Sequence, residues 1–502
     1  MAVPIPPTDT EVVEYAAEPL EPKLPAGGKN SLFALVSESA VYGIGMILGR
    51  GLGFFLTPIL ARSFNAREFG VLDLMQTGVL LCSMLLSFQM ESALLRYYQE
   101  EPDKRLLVST YLMTQLATGA LFMMGVALVG VPLAGRYASL PGSMTMAAAW
   151  SVVAGLIWTH AITLLRAERT AALAATMISL DTAVNIVVVL TLVVWLKWGI
   201  TGYFAARAFS NMACSLTVLV LRRDLYRPRF SPSVLMRFLR FGLPLTPEGF
   251  VSFATSQVGK GFLLSYASLA DVGLLAVTNR VATGIKLVLA SLRQAWAPYA
   301  FSVANDANAD EAYAAAFHGY ARLAGFLMIA FVLLSREAVL ILAGPQYLQA
   351  RWLLGLVTAG AMIGGLPYLF NIGLLLGEKT VYYTVGVAAS AVTVLLFSWL
   401  LIARFGLVGA PLSGLAGSLV LTGTVLYFAQ KIRPVPYKMR VLWGFVGGVL
   451  AAAALGTTRL MDGPLMLRLL ALTVAAVWML RDVPLTALWA RLAPRLIPKK
   501  GL

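Results

Sequence analysis

The sequence predicts an all-α polytopic membrane protein of about 14 transmembrane helices, arranged as two pseudo-symmetric lobes of about six helices and two extra C-terminal helices. The first observation is composition: 59% of the 502 residues are hydrophobic and 13% are charged, with a mean hydropathy of +0.78. The second is a series of apolar stretches that can cross a bilayer. The third is the concentration of Lys and Arg in alternate connections. This composition excludes a soluble fold of this size.

Residues 1–30 precede the first apolar stretch and are rich in Pro and Glu. They lack a basic segment followed by an apolar one, so no secretory signal peptide is predicted. We expect this segment to be a disordered cytoplasmic tail.

The apolar stretches are predicted to be membrane helices because a span needs about 20 residues. In order, they cover residues 39–62, 70–90, 107–131, 144–165, 172–196, 200–221, 241–265, 272–300, 319–342, 352–376, 381–403, 407–429, 441–457 and 465–480.

Basic residues distinguish the two sides of the predicted bundle. The even-numbered connections contain Arg96, Lys104, Arg105, Arg166, Arg169, Arg222, Arg223, Arg227, Arg229, Arg237, Arg240, Lys431, Arg433, Lys438 and Arg440. The opposite connections hold few, so the positive-inside rule predicts that both termini are cytoplasmic. This orientation also explains the net charge of +15, and nucleic acid is not a predicted partner.

The most basic connection divides the chain into two groups of helices. Shifting the sequence by 203 positions aligns residues 64–74 with residues 267–277 and matches Gly70 with Gly273. This weak repeat predicts duplicated lobes joined by a linker. The predicted division is a tail (1–30), an N-terminal lobe (31–221), a basic cytoplasmic linker (222–240), a C-terminal lobe (241–430), and two extra helices with a basic cytoplasmic tail (431–502).

Several cations lie inside predicted helices. Arg50 is near the middle of the first, where a cation costs about 2.5 to 3.5 kcal/mol on insertion scales. Asn279, Lys286 and Arg293 recur every seven residues in the eighth helix and would share one face. Lys260 ends a polar row in the seventh.

Acidic residues in the spans are sparse. Asp181 in the fifth helix can neutralise Arg207 in the sixth, which leaves Glu248 as the obvious partner for the other cations. Two interpretations follow: the cations snorkel or pair structurally, or they line an anion-binding cavity between the two lobes. Arg280 would point away from that cavity.

No enzymatic activity is predicted. Every connection is short, and the chain shows no acid–base pair, nucleophile elbow, P-loop or metal-ligand spacing. Cys82, Cys214 and His160 lie in apolar segments and are expected to be packing residues. We expect no cofactor and no metal; an energy source would be coupling to Na⁺, H⁺ or the membrane potential.

Five blocks, in this order, resemble the polysaccharide transporter family, the Wzx-type oligosaccharide flippases of the multidrug/oligosaccharidyl-lipid/polysaccharide exporter superfamily. They are residues 42–58 (YGIGMILGRGLGFFLTP), 64–74 (FNAREFGVLDL), 90–100 (MESALLRYYQE), 241–248 (FGLPLTPE) and 271–302. The chain departs at the end of the seventh helix, where such proteins often have an Asp-Arg pair and this sequence has Gly259 and Lys260. An acidic partner is lost there, so ion coupling at that position is in doubt.

The resemblance implies a bacterial inner-membrane flippase that moves a polyprenyl-diphosphate-linked oligosaccharide between leaflets for exopolysaccharide or O-antigen biosynthesis. Its partners would be this lipid-linked substrate, membrane lipids and other polysaccharide assembly proteins. Cations suit a diphosphate, and polar or aromatic walls suit sugars. The predicted substrate-binding residues are Arg50, Lys260, Asn279, Lys286, Arg293, Tyr42 and Trp296.

Three other functions stay open. A lipid II flippase would have a similar fold and a related substrate. A cation or drug antiporter of the same superfamily should place acids in its cavity instead of arginines. A membrane glycan polymerase or ligase would need a large periplasmic loop with catalytic residues, which the sequence lacks.

Overall fold

The computed structural model describes residues 56–480 except 227–228, 305, 307 and 459–463. Every regular element in this part of the chain is helical, as the sequence predicts. Nine helical stretches within it are long and apolar enough to cross a membrane, or ten if one bent pair counts as a single span. One stretch, Val381–Ile432, contains two antiparallel helices joined by a short turn. The predicted total of about 14 spans therefore stays a prediction.

The helices of the first half follow the predicted stretches closely. They are α1 (Leu56–Ser63), α2 (Ala66–Ser87), α3 (Met90–Tyr97), α4 (Lys104–Gly125), α5 (Val131–Ala138), α6 (Gly142–Ala167), α7 (Ala171–Val189) and α8 (Gly199–Leu221). A π-helical turn, Val126–Gly130, joins α4 to α5, and another, Leu190–Trp195, extends α7. Because these turns continue the helical backbone, α4 with α5 forms one long apolar stretch.

The second half begins with an amphipathic helix inside the predicted linker. Its helices are α9 (Pro232–Gly242), α10 (Thr246–Tyr266), α11 (Leu269–Val281), α12 (Thr283–Ser302), α13 (Ala309–Leu333), α14 (Ser335–Leu342), α15 (Arg351–Ile363), α16 (Leu366–Phe370), α17 (Ile372–Leu376), α18 (Val381–Phe405), α19 (Gly409–Ile432), α20 (Met439–Gly456) and α21 (Leu465–Leu480). A 3₁₀ turn, Pro345–Ala350, leads into α15.

The eighth predicted helix, residues 272–300, is broken into α11 and α12. The two axes meet at 45° around Ala282. The hydroxyl of Thr283 donates a 3.0 Å hydrogen bond to the carbonyl oxygen of Asn279, and a glycine follows at position 284. Back-bonding by Thr and the low helix propensity of Gly both favour a bend.

The repeated stretches of the two halves pack directly against each other. Helices α2 and α11 each start with a capping box, formed by Asn65 with Glu68 and by Ser268 with Asp271. Near these ends, a Cβ added to Gly70 would overlap the carbonyl oxygen of Leu269, and one added to Gly273 would overlap that of Ala66. These two contacts are related by the same shift of 203 positions. The matched glycines therefore allow the two helices to cross at backbone contact.

The connection before α15 strengthens this contact between the halves. The Tyr347 hydroxyl donates to the carbonyl oxygen of Phe64 at 2.6 Å, and the side-chain amide of Gln346 donates to that of Ala61 at 2.6 Å. A shared apolar cluster that includes Leu60, Phe69 and Tyr347 lies beneath these hydrogen bonds. The two halves are thus held together at the end of the bundle where α2 and α11 begin.

At the other end of the bundle, helix α9 packs on α3. Arg237 forms a 2.7 Å ion pair with Glu101 and lies over the ring of Tyr97. A Cβ added to Gly242 would overlap the carbonyl oxygen of Phe88. The predicted linker therefore contains a helix that is fastened to the first half.

Candidate cationic site

A cavity of about 290 Å³ lies among the membrane helices of the second half. It is bounded by α10, α11, α12, α15, α18 and α19, and the described residues that line it include no carboxylate. The polar lining residues are Ser256, Lys260, Asn279, Lys286, Ser398, Ser413 and Ser418. Three of the predicted substrate-binding residues, Lys260, Asn279 and Lys286, thus share one cavity. We expected that cavity between the lobes, but its lining residues belong to the second half.

The bend between α11 and α12 brings two of these polar side chains together. The ammonium of Lys286 donates to the Asn279 amide oxygen at 3.1 Å. The amide nitrogen of Asn279 in turn donates to the Leu275 carbonyl oxygen at 3.1 Å, which orients the side chain. Lys286 has two further N–H donors, and none of the described lining residues is an acid that could neutralise it. The site can therefore bind an anion.

Lys260 connects the cavity to the first half. Its ammonium lies 2.7 Å from the Asp73 carboxylate and donates to the Thr77 hydroxyl at 3.1 Å, both on α2. Asp73 is 8% exposed. The expectation that Lys260 lacks an acidic partner other than Glu248 is therefore wrong. The partner comes from the opposite half, so no sequence spacing within α10 could reveal it.

Arg293 lies further along α12 and is not part of the cavity lining. Its guanidinium stacks over the ring of Tyr368, 4.6 Å from the centroid. Its Nε is buried and has no hydrogen-bond partner among the described residues. The prediction of one shared face for Asn279, Lys286 and Arg293 assumed a straight helix, and the bend changes that geometry. The role of Arg293 in substrate binding stays a prediction.

Trp296 packs in the interior of the second half. The residue is 9% exposed, and its indole ring lies edge-on to the ring of Tyr313, with centroids 5.9 Å apart. We predicted that it would form an aromatic wall for sugars. In this structure the ring packs against α13 in the apolar core of the second half, and its role in substrate binding stays a prediction.

Asp181 and Arg207 form the predicted ion pair, with Nη1 and Oδ2 3.8 Å apart. The Arg207 side chain is 44% exposed, while that of Asp181 is 6% exposed. Neighbouring Asn185 donates to the Ser210 hydroxyl at 3.3 Å. This polar group lies on α7 and α8 in the first half, apart from the cavity.

Arg280 points away from the cavity, as expected. Its guanidinium donates to the Gln76 amide oxygen at 2.8 Å and lies over the ring of Phe69. Both partners are on α2, so Arg280 belongs to the contact between the halves. A substitution of Arg280 is therefore expected to disturb the packing of the two halves.

The side chains of three predicted residues lie outside the described part of the structure. Arg50 and Tyr42 lie outside the described residues. Glu248 belongs to α10, but its side chain is not described. Their proposed roles stay predictions.

The sequence reasoning missed Asp73 and Thr77, which contact Lys260. A usable signal existed, since Asp73 lies inside the second predicted span and Thr77 follows it by four residues on the same helical face. Asp73 falls inside the repeated stretch 64–74, but it is not counted among the acids of the membrane interior in the sequence analysis. Among the described residues, no group of His, Cys, Asp or Glu could hold a metal ion.

Apolar helices long enough to span a bilayer, in two halves that contact through repeated elements, define a polytopic membrane protein with a polar, cationic cavity. The family model described as "Polysaccharide biosynthesis protein" matches residues 35–303, more than half of the chain. The chain belongs to this family. A search of curated proteins finds none that matches it by sequence.

Solved structures show the same fold at low sequence identity. "Lipid II flippase MurJ, inward closed conformation" is 13% identical with a TM-score of 0.66, covering 88% of this chain and 99% of that chain. An inward-facing multidrug resistance MATE family transporter of the MOP superfamily is 16% identical with a TM-score of 0.57, covering 79% and 94%. A mutant of the Vibrio cholerae MATE transporter VcmN is 14% identical with a TM-score of 0.56, covering 80% and 98%. The chain therefore has the same fold as these structures.

Proposed function

We propose that the protein is a flippase that moves polyprenyl-diphosphate-linked oligosaccharide across the bacterial inner membrane for exopolysaccharide or O-antigen biosynthesis. The observation that carries the proposal is the cavity among membrane helices whose described lining contains Lys260, Asn279 and Lys286 and no carboxylate. A diphosphate is a strong partner for ammonium groups in a site of low dielectric constant. Membership in a polysaccharide biosynthesis family supports a substrate of this class.

The pair of Lys260 and Asp73 suggests how substrate binding is linked to movement of the two halves. A diphosphate in the cavity competes with Asp73 for the Lys260 ammonium, 2.7 Å from that carboxylate. Because the pair joins α2 to α10, its exchange for a contact with substrate weakens one contact between the halves. The change would favour alternating access, in which the halves rock around a central site. The lipid tail would stay in the bilayer.

The function is tested first by depletion in the native bacterium. We expect lipid-linked oligosaccharide to accumulate on the cytoplasmic side when the protein is removed, while synthesis of the oligosaccharide continues. Normal export at full depletion would contradict the proposal. Collapse of the proton gradient, the sodium gradient or the membrane potential, one at a time, would identify the coupling that drives the flippase.

The site is tested with Lys286 variants at equal protein level. A charge-assisted hydrogen bond contributes about 1.5 to 3 kcal/mol, so Lys286→Ala should lower flipping by roughly 10- to 100-fold. Lys286→Arg should restore part of it, because the charge is kept. The control is Arg404→Gln, an exposed cation at the end of α18, which should be near wild type. Full activity of Lys286→Ala would rule out this cavity as the diphosphate site.

A lipid II flippase is the second candidate, because the fold matches a structure described as one. Its substrate also carries a polyprenyl diphosphate, so the cationic cavity suits both. Complementation of a strain that lacks its own lipid II flippase separates the two functions. A cation or drug antiporter is disfavoured by the acid-free lining, and transport of a cationic dye would support it instead.

A further inference from the structure

A second cavity, of about 500 Å³, lies on the side of the bundle between α13 and α20. Helix α20 is the first of the two extra helices. The groove shares no lining residue with the cationic cavity, so the two cavities are separate. Its lining residues come from these two helices and from Lys438, just before α20. We call this cavity the α13–α20 groove.

Glycines open the groove along α20. Gly444 and Gly448 are one turn apart and exposed, and a Cβ added to either would meet nothing within 4 Å. Gly325 on α13 has the same free space. Phe445 and Val449 form the apolar floor. An apolar channel of this kind, open to the side of a membrane protein, fits an acyl chain.

One end of the groove is cationic. His318 and Arg322 on α13 and Lys438 before α20 line this end, and the described residues of the groove lining include no carboxylate. The imidazole of His318 lies within electrostatic reach of both cations. Its Nε2 is buried and has no hydrogen-bond partner among the described residues. The end of the groove thus combines two positive charges with a buried polar atom that lacks a partner.

We propose that the α13–α20 groove binds an anionic phospholipid, with the phosphate at Arg322 and Lys438 and an acyl chain along Gly444 and Gly448. Charge complementarity favours an anionic headgroup over a zwitterionic one. From Lys438 to Ala452, α20 rises about 21 Å at 1.5 Å per residue, close to the ~20–22 Å depth of one leaflet including its headgroup region. This length suits a phospholipid of one leaflet better than a long polyprenyl chain. The loop charges predict that this leaflet is the cytoplasmic one.

The test is photocross-linking of the purified full chain in nanodiscs with a photoactivatable phosphatidylglycerol whose reactive group is on the acyl chain. We expect label on peptides of α13 and α20, removed by excess phosphatidylglycerol and not by phosphatidylcholine. Gly448→Leu should abolish this label by filling the channel. Gly447→Leu is the matched control, because Gly447 is exposed, has equal free space and does not line the groove.

The headgroup contact is tested separately. Arg322→Gln combined with Lys438→Gln should weaken phosphatidylglycerol competition about tenfold, the loss expected for a charge-assisted contact. The control is Lys431→Gln with Arg440→Gln, two exposed cations near the same connection that do not line the groove. Native mass spectrometry of all four variants should show the same ranking of retained lipid.

Three results would overturn the proposal. Equal competition by phosphatidylcholine would remove the headgroup specificity, and equal labelling of Gly448→Leu and Gly447→Leu would place the lipid elsewhere. Displacement by undecaprenyl diphosphate at lower concentration than phosphatidylglycerol would make the groove a site for the polyprenyl substrate. Absence of label in the full chain and its appearance after removal of residues 481–502 would make that segment the occupant. None of these measurements requires transport, so failure of the proposed flippase function would leave them unchanged.

Discussion

Asp73 shows how one carboxylate changes the chemistry of the membrane interior. With 8% exposure, it would be costly as an unpaired charge in the bilayer. Its 2.7 Å ion pair with Lys260 offsets the free-energy cost of burying each charge. Among the described residues that line the cavity, Lys286 has the neutral amide of Asn279 as its partner and no acid. The two lysines are therefore not equivalent, since the described residues give an acidic partner to Lys260 alone.

The buried pair makes a prediction at the residue scale. Asp73→Asn leaves the Lys260 ammonium without its counter-charge, and removal of one partner of a buried pair costs about 3 to 5 kcal/mol. Combining it with Lys260→Met removes both charges and should recover much of that loss. The thermal unfolding temperature in detergent measures both effects. If the double variant lost as much unfolding temperature as Asp73→Asn alone, or as much as the two single changes added together, the pair would not stabilise the folded protein.

The pair of Asp181 and Arg207 should contribute less to stability than the pair of Asp73 and Lys260, because the Arg207 side chain is 44% exposed and solvent screens the interaction. We expect Asp181→Asn combined with Arg207→Gln to impair polysaccharide export less than either single change. Export at equal protein level is the measurement. Purely additive defects would argue against coupling between the two residues.

At the scale of elements, the crossing of α2 and α11 depends on two glycines. Their backbones approach so closely that a methyl group at Gly70 or Gly273 would overlap a carbonyl oxygen of the other helix. Tightly packed helix crossings at small residues are common in membrane proteins. Because the contact joins the two halves, its geometry decides how closely they meet at this end.

This crossing predicts a position-specific effect of alanine. Gly70→Ala and Gly273→Ala should each lower the unfolding temperature, since backbone atoms must move to accept the added carbon. Gly78→Ala is the control on the same helix, where the added Cβ would meet nothing within 4 Å. Alanine has the higher helix propensity, so this control should be neutral or slightly stabilising. A Gly70→Ala variant as stable as Gly78→Ala would contradict the close contact.

At the scale of the whole molecule, the halves meet where α2, α11 and the turn before α15 converge. Hydrogen bonds from Gln346 and Tyr347 and the shared apolar cluster close this end. The loop charges predict that this end faces the periplasm. A flippase would need to open it to release substrate on that side.

The orientation is tested by labelling at position 231, in the basic connection before α9. A single cysteine at Ser231 should react with a membrane-impermeant maleimide only after the inner membrane is permeabilised. The matched position is Ser139, in the connection between α5 and α6, which should react in intact spheroplasts. The reverse labelling pattern would show that the protein has the opposite orientation in the membrane.

The amino-acid sequence by itself determined the class of protein, most helix positions and the presence of cations in the membrane. Composition and apolar periodicity suffice for this, because a bilayer admits few structures other than helices of a given length. The sequence also indicated that Asn279 and Lys286 act together, since a seven-residue spacing keeps two side chains near each other even across a bend. The repeat in the sequence also pairs Gly70 with Gly273, the two glycines at the crossing of α2 and α11.

Only the tertiary structure decided which charges are paired and where the cavity lies. The partner of Lys260 is Asp73, on a helix of the other half, and the ring of Trp296 packs against Tyr313 of α13. The groove between α13 and α20 joins segments about 120 residues apart. Sequence spacing reports neighbours along one helix, whereas charge neutralisation and cavity lining depend on which helices pack together. That choice is made by long-range packing, which a single sequence does not display.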